Sequence, residues 1–100
     1  MNRFWLSYDL GFRGDYGPLY VWLDKAKARE CGDSVATFQR DQTREQVARD
    51  LHRVVKREGR LYLIGKNKAG KFVGGFISGG RKFSPWVGFA DNTSEAGEEE

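Results

Sequence analysis

Asp9 holds the position in this chain where a side chain is best placed to do chemistry. It closes the aromatic and apolar run Arg3-Phe-Trp-Leu-Ser-Tyr-Asp9, which is too short for a helix and reads as a strand. A carboxylate at a strand end can project from the sheet edge into a cleft. There it suits a hard divalent cation such as magnesium, which takes oxygen donors. The competing role is local, because Asp at the end of a strand commonly caps the loop that follows. Asp15 reads as the N-cap of a helix and is the nearest acid that could add a second oxygen ligand.

The other reactive residue types carry weaker patterns. His52 is the single histidine, lies off the apolar stripe of its helix, and has no Cys, His or carboxylate at ligand spacing. Cys31 has no partner set for a thiol nucleophile and reads as a small buried hydrophobe. The segment Gly65-Lys-Asn-Lys-Ala-Gly70-Lys71 has the spacing of a phosphate-binding loop up to its lysine. Such a loop needs Ser or Thr next and a helix whose N-terminus faces the phosphate. Phe72 follows and opens a strand, so these glycines belong to a turn.

Charge is distributed unevenly. The net charge is +3. Residues 1–39 balance five bases with five acids, residues 40–82 hold twelve bases against four acids, and residues 91–100 hold five acids and no base. A basic surface concentrates polyanions by long-range attraction and counterion release. Arg49, Arg53 and Lys56 fall on one side of a helix at about 100° per residue. Lys66, Lys68 and Lys71 cluster in a turn, and Arg81 and Lys82 follow a strand. Interleaved with Tyr62, Phe72, Phe76, Phe83 and Trp86, these cations can pair with phosphates while rings stack on bases. Phe72 and Phe76 are expected to fill the core instead. Trp86, beside Pro85 in a glycine-flanked segment, is the expected exposed ring.

These residues must be positioned by a small set of elements. Phe4, Leu6 and Tyr8 share one face of the first strand, and Trp5, Ser7 and Asp9 share the other. Leu19, Trp22, Leu23 and Ala26 recur at helical spacing and predict a first helix over 16–30, with Gly32 after it. Residues 34–39 form a second strand. Thr43-Arg-Glu-Gln46 is a capping-box sequence, and Val47, Leu51, Val54 and Val55 continue a stripe for a second helix over 44–57. Residues 60–65 and 71–77 form a hairpin across a Gly/Asn-containing turn. Phe83–Ala90 adds a short edge strand interrupted by Pro85. The order βαβαββ fits an antiparallel-rich sheet with both helices on one face.

On Trp5-Leu-Ser-Tyr8-Asp9-Leu, Gly14-Asp15-Tyr16-x-x-Leu19-Tyr20-x-x-Leu23, Ser34-Val-Ala-Thr-Phe38 and Arg60-Leu-Tyr-Leu-Ile64, the chain resembles the small ferredoxin-like proteins grouped around CRISPR-associated protein 2 and virulence-associated protein D. The resemblance implies a ferredoxin-like α+β sandwich, a homodimer, and in the nucleases of the group a magnesium site at the dimer two-fold. Asp9 alone carries over as catalytic and metal-binding residue. The group has a hairpin between its two helices, whereas residues 32–42 are read here as leaving room for one strand.

The expectation is therefore one ferredoxin-like domain over 1–90 with a disordered acidic tail at 91–100. One cysteine, no apolar run near the ~20 residues of a membrane helix and no signal-peptide pattern point to a cytoplasmic protein without a membrane partner. Its expected function is nucleic-acid binding, DNA or RNA, through Arg49, Arg53, Lys56, Lys66, Lys68, Lys71, Arg81, Lys82 and Trp86. The alternatives are a magnesium-dependent endonuclease using Asp9 at a dimer interface and a non-catalytic protein-interaction module.

Overall fold

The computed structural model describes residues 1–91; beyond Asp91 the acidic segment lies outside the described residues. The elements run β1 (Asn2–Asp9), α1 (Tyr16–Lys25), β2 (Arg29–Gly32), β3 (Val35–Arg40), α2 (Arg44–Val54), β4 (Arg60–Lys66) and β5 (Phe72–Ser78). Five strands form one sheet in the order β2-β3-β1-β4-β5, and each neighbouring pair is antiparallel. The class is small α+β, with a strand between the helices that the sequence pattern did not reveal.

That strand exists because α1 stops early. The helix was expected to reach residue 30, yet Lys27 takes a left-handed conformation (φ 55°). The Lys27 amide donates to Asp24 O at 3.0 Å and the Ala28 amide to Leu23 O at 2.9 Å. This is the Schellman arrangement, which satisfies the last carbonyls of a helix and turns the chain away. It is usually marked by glycine, and a lysine in that place hides it. The released residues become β2, which pairs with β3 across the Asp33–Ser34 turn. Cys31 lies there exposed, not buried as expected.

The second helix begins as read. Thr43 Oγ1 accepts from the Gln46 amide at 3.3 Å while Gln46 Oε1 accepts from the Thr43 amide at 2.8 Å. It ends at Val54 because Val55 is already extended. The Phe83–Ala90 segment is not a strand: Val87 and Phe89 amides donate to Ser84 and Trp86 carbonyls in successive turns.

Alternation on the strands matches the reading. Phe4, Leu6 and Tyr8 of β1, Ala36 and Phe38 of β3, and Leu61 and Leu63 of β4 are buried with Leu19 and Leu23 of α1 and Val47, Leu51 and Val55 of the α2 segment. Both helices thus cover one face of the sheet. Each fully buried aliphatic or aromatic side chain there contributes about 1.5–3 kcal/mol. Gly65, part of the supposed phosphate loop, lies in β4 directly under the Phe4 ring. Among the described residues no helix is long and apolar enough to cross a membrane.

Candidate nucleic-acid interface

The opposite face of the sheet has no helix on it. Register sets its residues. Trp5 of β1 stands between Thr37 and Ile64, Ser7 between Val35 and Tyr62, and Asp9 faces Arg60. On β5, Phe76 pairs with Tyr62, Gly74 with Ile64, and Phe72 with Lys66. Trp5, Tyr62, Phe72 and Phe76 therefore lie on one open surface. Trp5 and Phe72 ring centroids are 6.0 Å apart, and Tyr62 meets Phe76 edge-on at 5.0 Å. Gly74 makes room for this: a Cβ there would lie 2.8 Å from Tyr62 Oη. Phe72 and Phe76 are 56% and 52% exposed, which corrects the expectation that they fill the core. They occupy outward positions of an edge strand, and alternation alone does not tell which face a helix will cover.

The expected cations are divided among separate places. Arg44 pins the start of α2 beneath the sheet, donating from Nε to Leu63 O at 3.0 Å and from Nη2 to Gly75 O at 2.9 Å. A Cβ on Gly75 would crowd that guanidinium at 3.1 Å. The anchorage lays α2 along β5, so Arg49, His52 and Arg53 line a groove of about 490 Å³ with Phe76 and Ile77. Arg53 also pairs with Asp50 at 3.9 Å. Lys56 is not with them. It lies past the end of α2, where its amide donates to Asp15 Oδ2 at 2.8 Å.

Lys66 stands over the Phe72 ring at 5.3 Å. Lys68 and Lys71 flank Gly70 in the hairpin turn, where Asn67 Oδ1 accepts from the Ala69 and Lys71 amides, each at 3.0 Å. Arg81 and Lys82 are exposed after β5, with Lys82 5.7 Å from the Phe83 ring centroid. Trp86 is 71% exposed, as expected.

Asp9 is engaged locally. Oδ1 accepts from the Gly11 amide at 3.2 Å, and Oδ2 pairs with Arg60 Nη2 at 3.4 Å. This is the loop-capping role. Asp15 occupies the N-cap position of α1 without capping it. Its Oδ2 accepts from the Arg57 and Lys56 amides, each at 2.8 Å, and Arg57 Nε lies 3.7 Å from Oδ1. The Arg57 amide, then that of Lys56, holds the Asp15 carboxyl below its usual range. So Asp15 ties the α1 entry to the α2–β4 loop instead of joining Asp9. Among the described residues no three His, Cys, Asp or Glu side chains gather as a metal site. Among the described residues Asp9 and Asp15 are each committed to partners of their own and do not converge on one cation position.

One basic region was missed. At the corner of α1, β2 and the ends of β1 and β3, a groove of about 830 Å³ is lined by Arg3, Lys25, Lys27, Arg29 and Arg40, with Asp41 its one acid. Arg40 is held over the Trp22 ring at 4.9 Å and donates to Gln42 Oε1 at 2.6 Å. Residues 1–39, which supply four of these five cations, are neutral in sum, so the charge count does not mark this corner. Comparison of the chain with protein-family models, curated proteins and solved structures gives no match in any of the three.

Proposed function

We propose that the chain is a small nucleic-acid-binding domain of ferredoxin-like design. The first six elements run β-α-β-β-α-β, the order of ferredoxin-like domains, and β5 adds an edge strand beside β4. The observation that carries the functional reading is the α2–β5 groove, which Arg49, His52 and Arg53 line together with Phe76 and Ile77 at the sheet edge. Cations there neutralise phosphates, and an exposed ring beside them offers a face to a base. The endonuclease reading makes a further demand. Asp9 would have to exchange Arg60 for a metal and receive its second carboxylate from another copy of the chain.

The test is binding of a labelled oligonucleotide across a salt series. Replacing Arg49 and Arg53 together with alanine should weaken binding and reduce the slope of log K against log salt by about 1.5–2, the contribution of two phosphate contacts, whereas Lys56→Ala, outside the groove, should change it less. Tight binding indifferent to ionic strength would overturn the reading, and so would no binding to any DNA or RNA. Asp9→Asn should leave affinity within about twofold, since the exposed Asp9–Arg60 pair contributes little.

A further inference from the structure

We infer that the open sheet face binds single-stranded nucleic acid, with bases stacking on Trp5, Tyr62, Phe72 and Phe76 and the backbone led into the Arg3–Lys27–Arg29 groove. This rests on the nucleic-acid reading and names its substrate class. Three observations converge on it.

The first is the set of rings. Four aromatic side chains share a surface that no helix covers, and two of them are more than half exposed. Phe72 and Phe76 stand four residues apart on one strand, about 13 Å at 3.3 Å per residue. Bases stacked in a duplex are about 3.4 Å apart and cover one another's faces. Rings at the wider spacing serve bases that have been splayed from a single strand, where every base offers a π-face.

The second is charge. The strand residues on this face include Arg3, Arg29, Arg60 and Lys66. Among the described residues, Asp9 is the one acid at an open-face strand position, and Arg60 already pairs with it. Glu30 is in register with core-facing Ala36 and belongs to the other side. Such a face is complementary to a phosphate backbone. It is poorly suited to a second copy of itself, because two such faces would oppose cation to cation.

The third is continuity. Arg3 and Arg29 lie on the open face and also line the basic groove at the α1–β2 corner. Arg3 is steadied by its bond to Thr37 Oγ1 at 3.3 Å, and Thr37 in turn donates to Phe4 O at 2.9 Å. A strand crossing from β5 toward β2 therefore leaves the rings and enters a concave cluster of guanidinium and ammonium groups. That juxtaposition supplies stacking and phosphate pairing along one path.

The experiment uses the full chain and fluorescence anisotropy with labelled oligo(dT), oligo(U) and a duplex. Each is about 20 nucleotides long, beyond the ~4–16 nucleotide sites of comparable stacking surfaces. Single strands should bind at least about tenfold tighter than duplex and should quench tryptophan emission. Phe72→Ala and Phe76→Ala should each weaken single-strand binding roughly 5- to 150-fold and lower the melting temperature by no more than about 4 °C. Combined alanine replacement of Arg3, Lys27 and Arg29 should lower the salt slope. Preference for dT or U tells DNA from RNA, and either one supports the inference.

Equal binding of single strand and duplex, unaffected by Phe72→Ala and Phe76→Ala, overturns the inference but leaves the nucleic-acid reading standing. No binding to any oligonucleotide overturns both. A stable dimer in light scattering that Phe72→Ala or Phe76→Ala converts to monomer also overturns the inference, because a second copy then covers the face.

Discussion

Strands β1 and β4 present alternate residues to two different environments. Phe4, Leu6, Leu61 and Leu63 are at most 1% exposed beneath α1 and α2, while Trp5, Tyr62 and Ile64, their sequence neighbours, face away from both helices. The two sets are similarly apolar, so hydrophobicity does not separate them. What separates them is the supply of covering layers: each helix has one apolar stripe, and both stripes are used on the same side. The open face keeps its rings without a cover and carries arginine and lysine among them. Apolar rings left exposed among arginine and lysine, with Asp9 the one acid beside them on the strands described, are what the binding proposal rests on.

The contrast between the faces can be broken most forcefully from the closed side. Phe4→Ala removes a ring stacked on Phe38 at 5.5 Å with no exposure and should cost about 3–5 kcal/mol, read from urea unfolding. Phe72→Ala, on the open side, should cost no more than about 0.5 kcal/mol. Comparable losses would mean that something covers both faces. Thr43→Ala removes the reciprocal cap of the helix that seals the closed face and should cost about 1 kcal/mol by the same measurement. A loss much smaller than that would show that packing and the Arg44 anchor hold α2 without its cap.

A pH series tests how the closed side is fastened at its end. Hydrogen bonds from the Arg57 amide, then the Lys56 amide, hold the folded-state pKa of Asp15 below the ordinary value of an aspartate carboxyl. Its stabilisation is therefore complete above that value and fades as pH falls toward the lower folded-state pKa. Asp15→Asn should flatten the acid limb of the stability profile between those two pKa values while leaving oligonucleotide affinity unchanged. An identical acid limb in the mutant would show that the carboxylate does not fasten the loop.

Much of the fold was legible because local rules acted without competition. The capping box at Thr43–Gln46 needs only residues three apart. The apolar stripes of both helices and the inward set Phe4, Leu6 and Tyr8 follow from the periods of helix and strand. The missed β2 has an equally local but disguised cause, since Lys27 adopts the left-handed turn that glycine usually marks. The edge strand expected over 83–90 failed because extended patterning there is opposed by the turn chemistry of Ser84, Pro85 and Gly88, which wins when no neighbouring strand pairs with it. The site was legible in its residue types and less so in its grouping. Lys56 and Arg53 look adjacent on a helical wheel, yet the helix ends between them.

The chain's own order of residues determined the two helices with their apolar stripes, the extended segments of β1, β3, β4 and β5, the inward face of β1 and the excess of cations in its second half, because those properties depend on neighbours a few positions away. Only the tertiary structure decided which face of the sheet stays open. It also brought Trp5 beside Phe72, and gathered Arg40 with Arg3, Lys25, Lys27 and Arg29 from residues 1–39, which have no net charge. Those outcomes depend on strand register and on where two helices dock. Both are set by contacts between residues distant in sequence, and no local pattern encodes them.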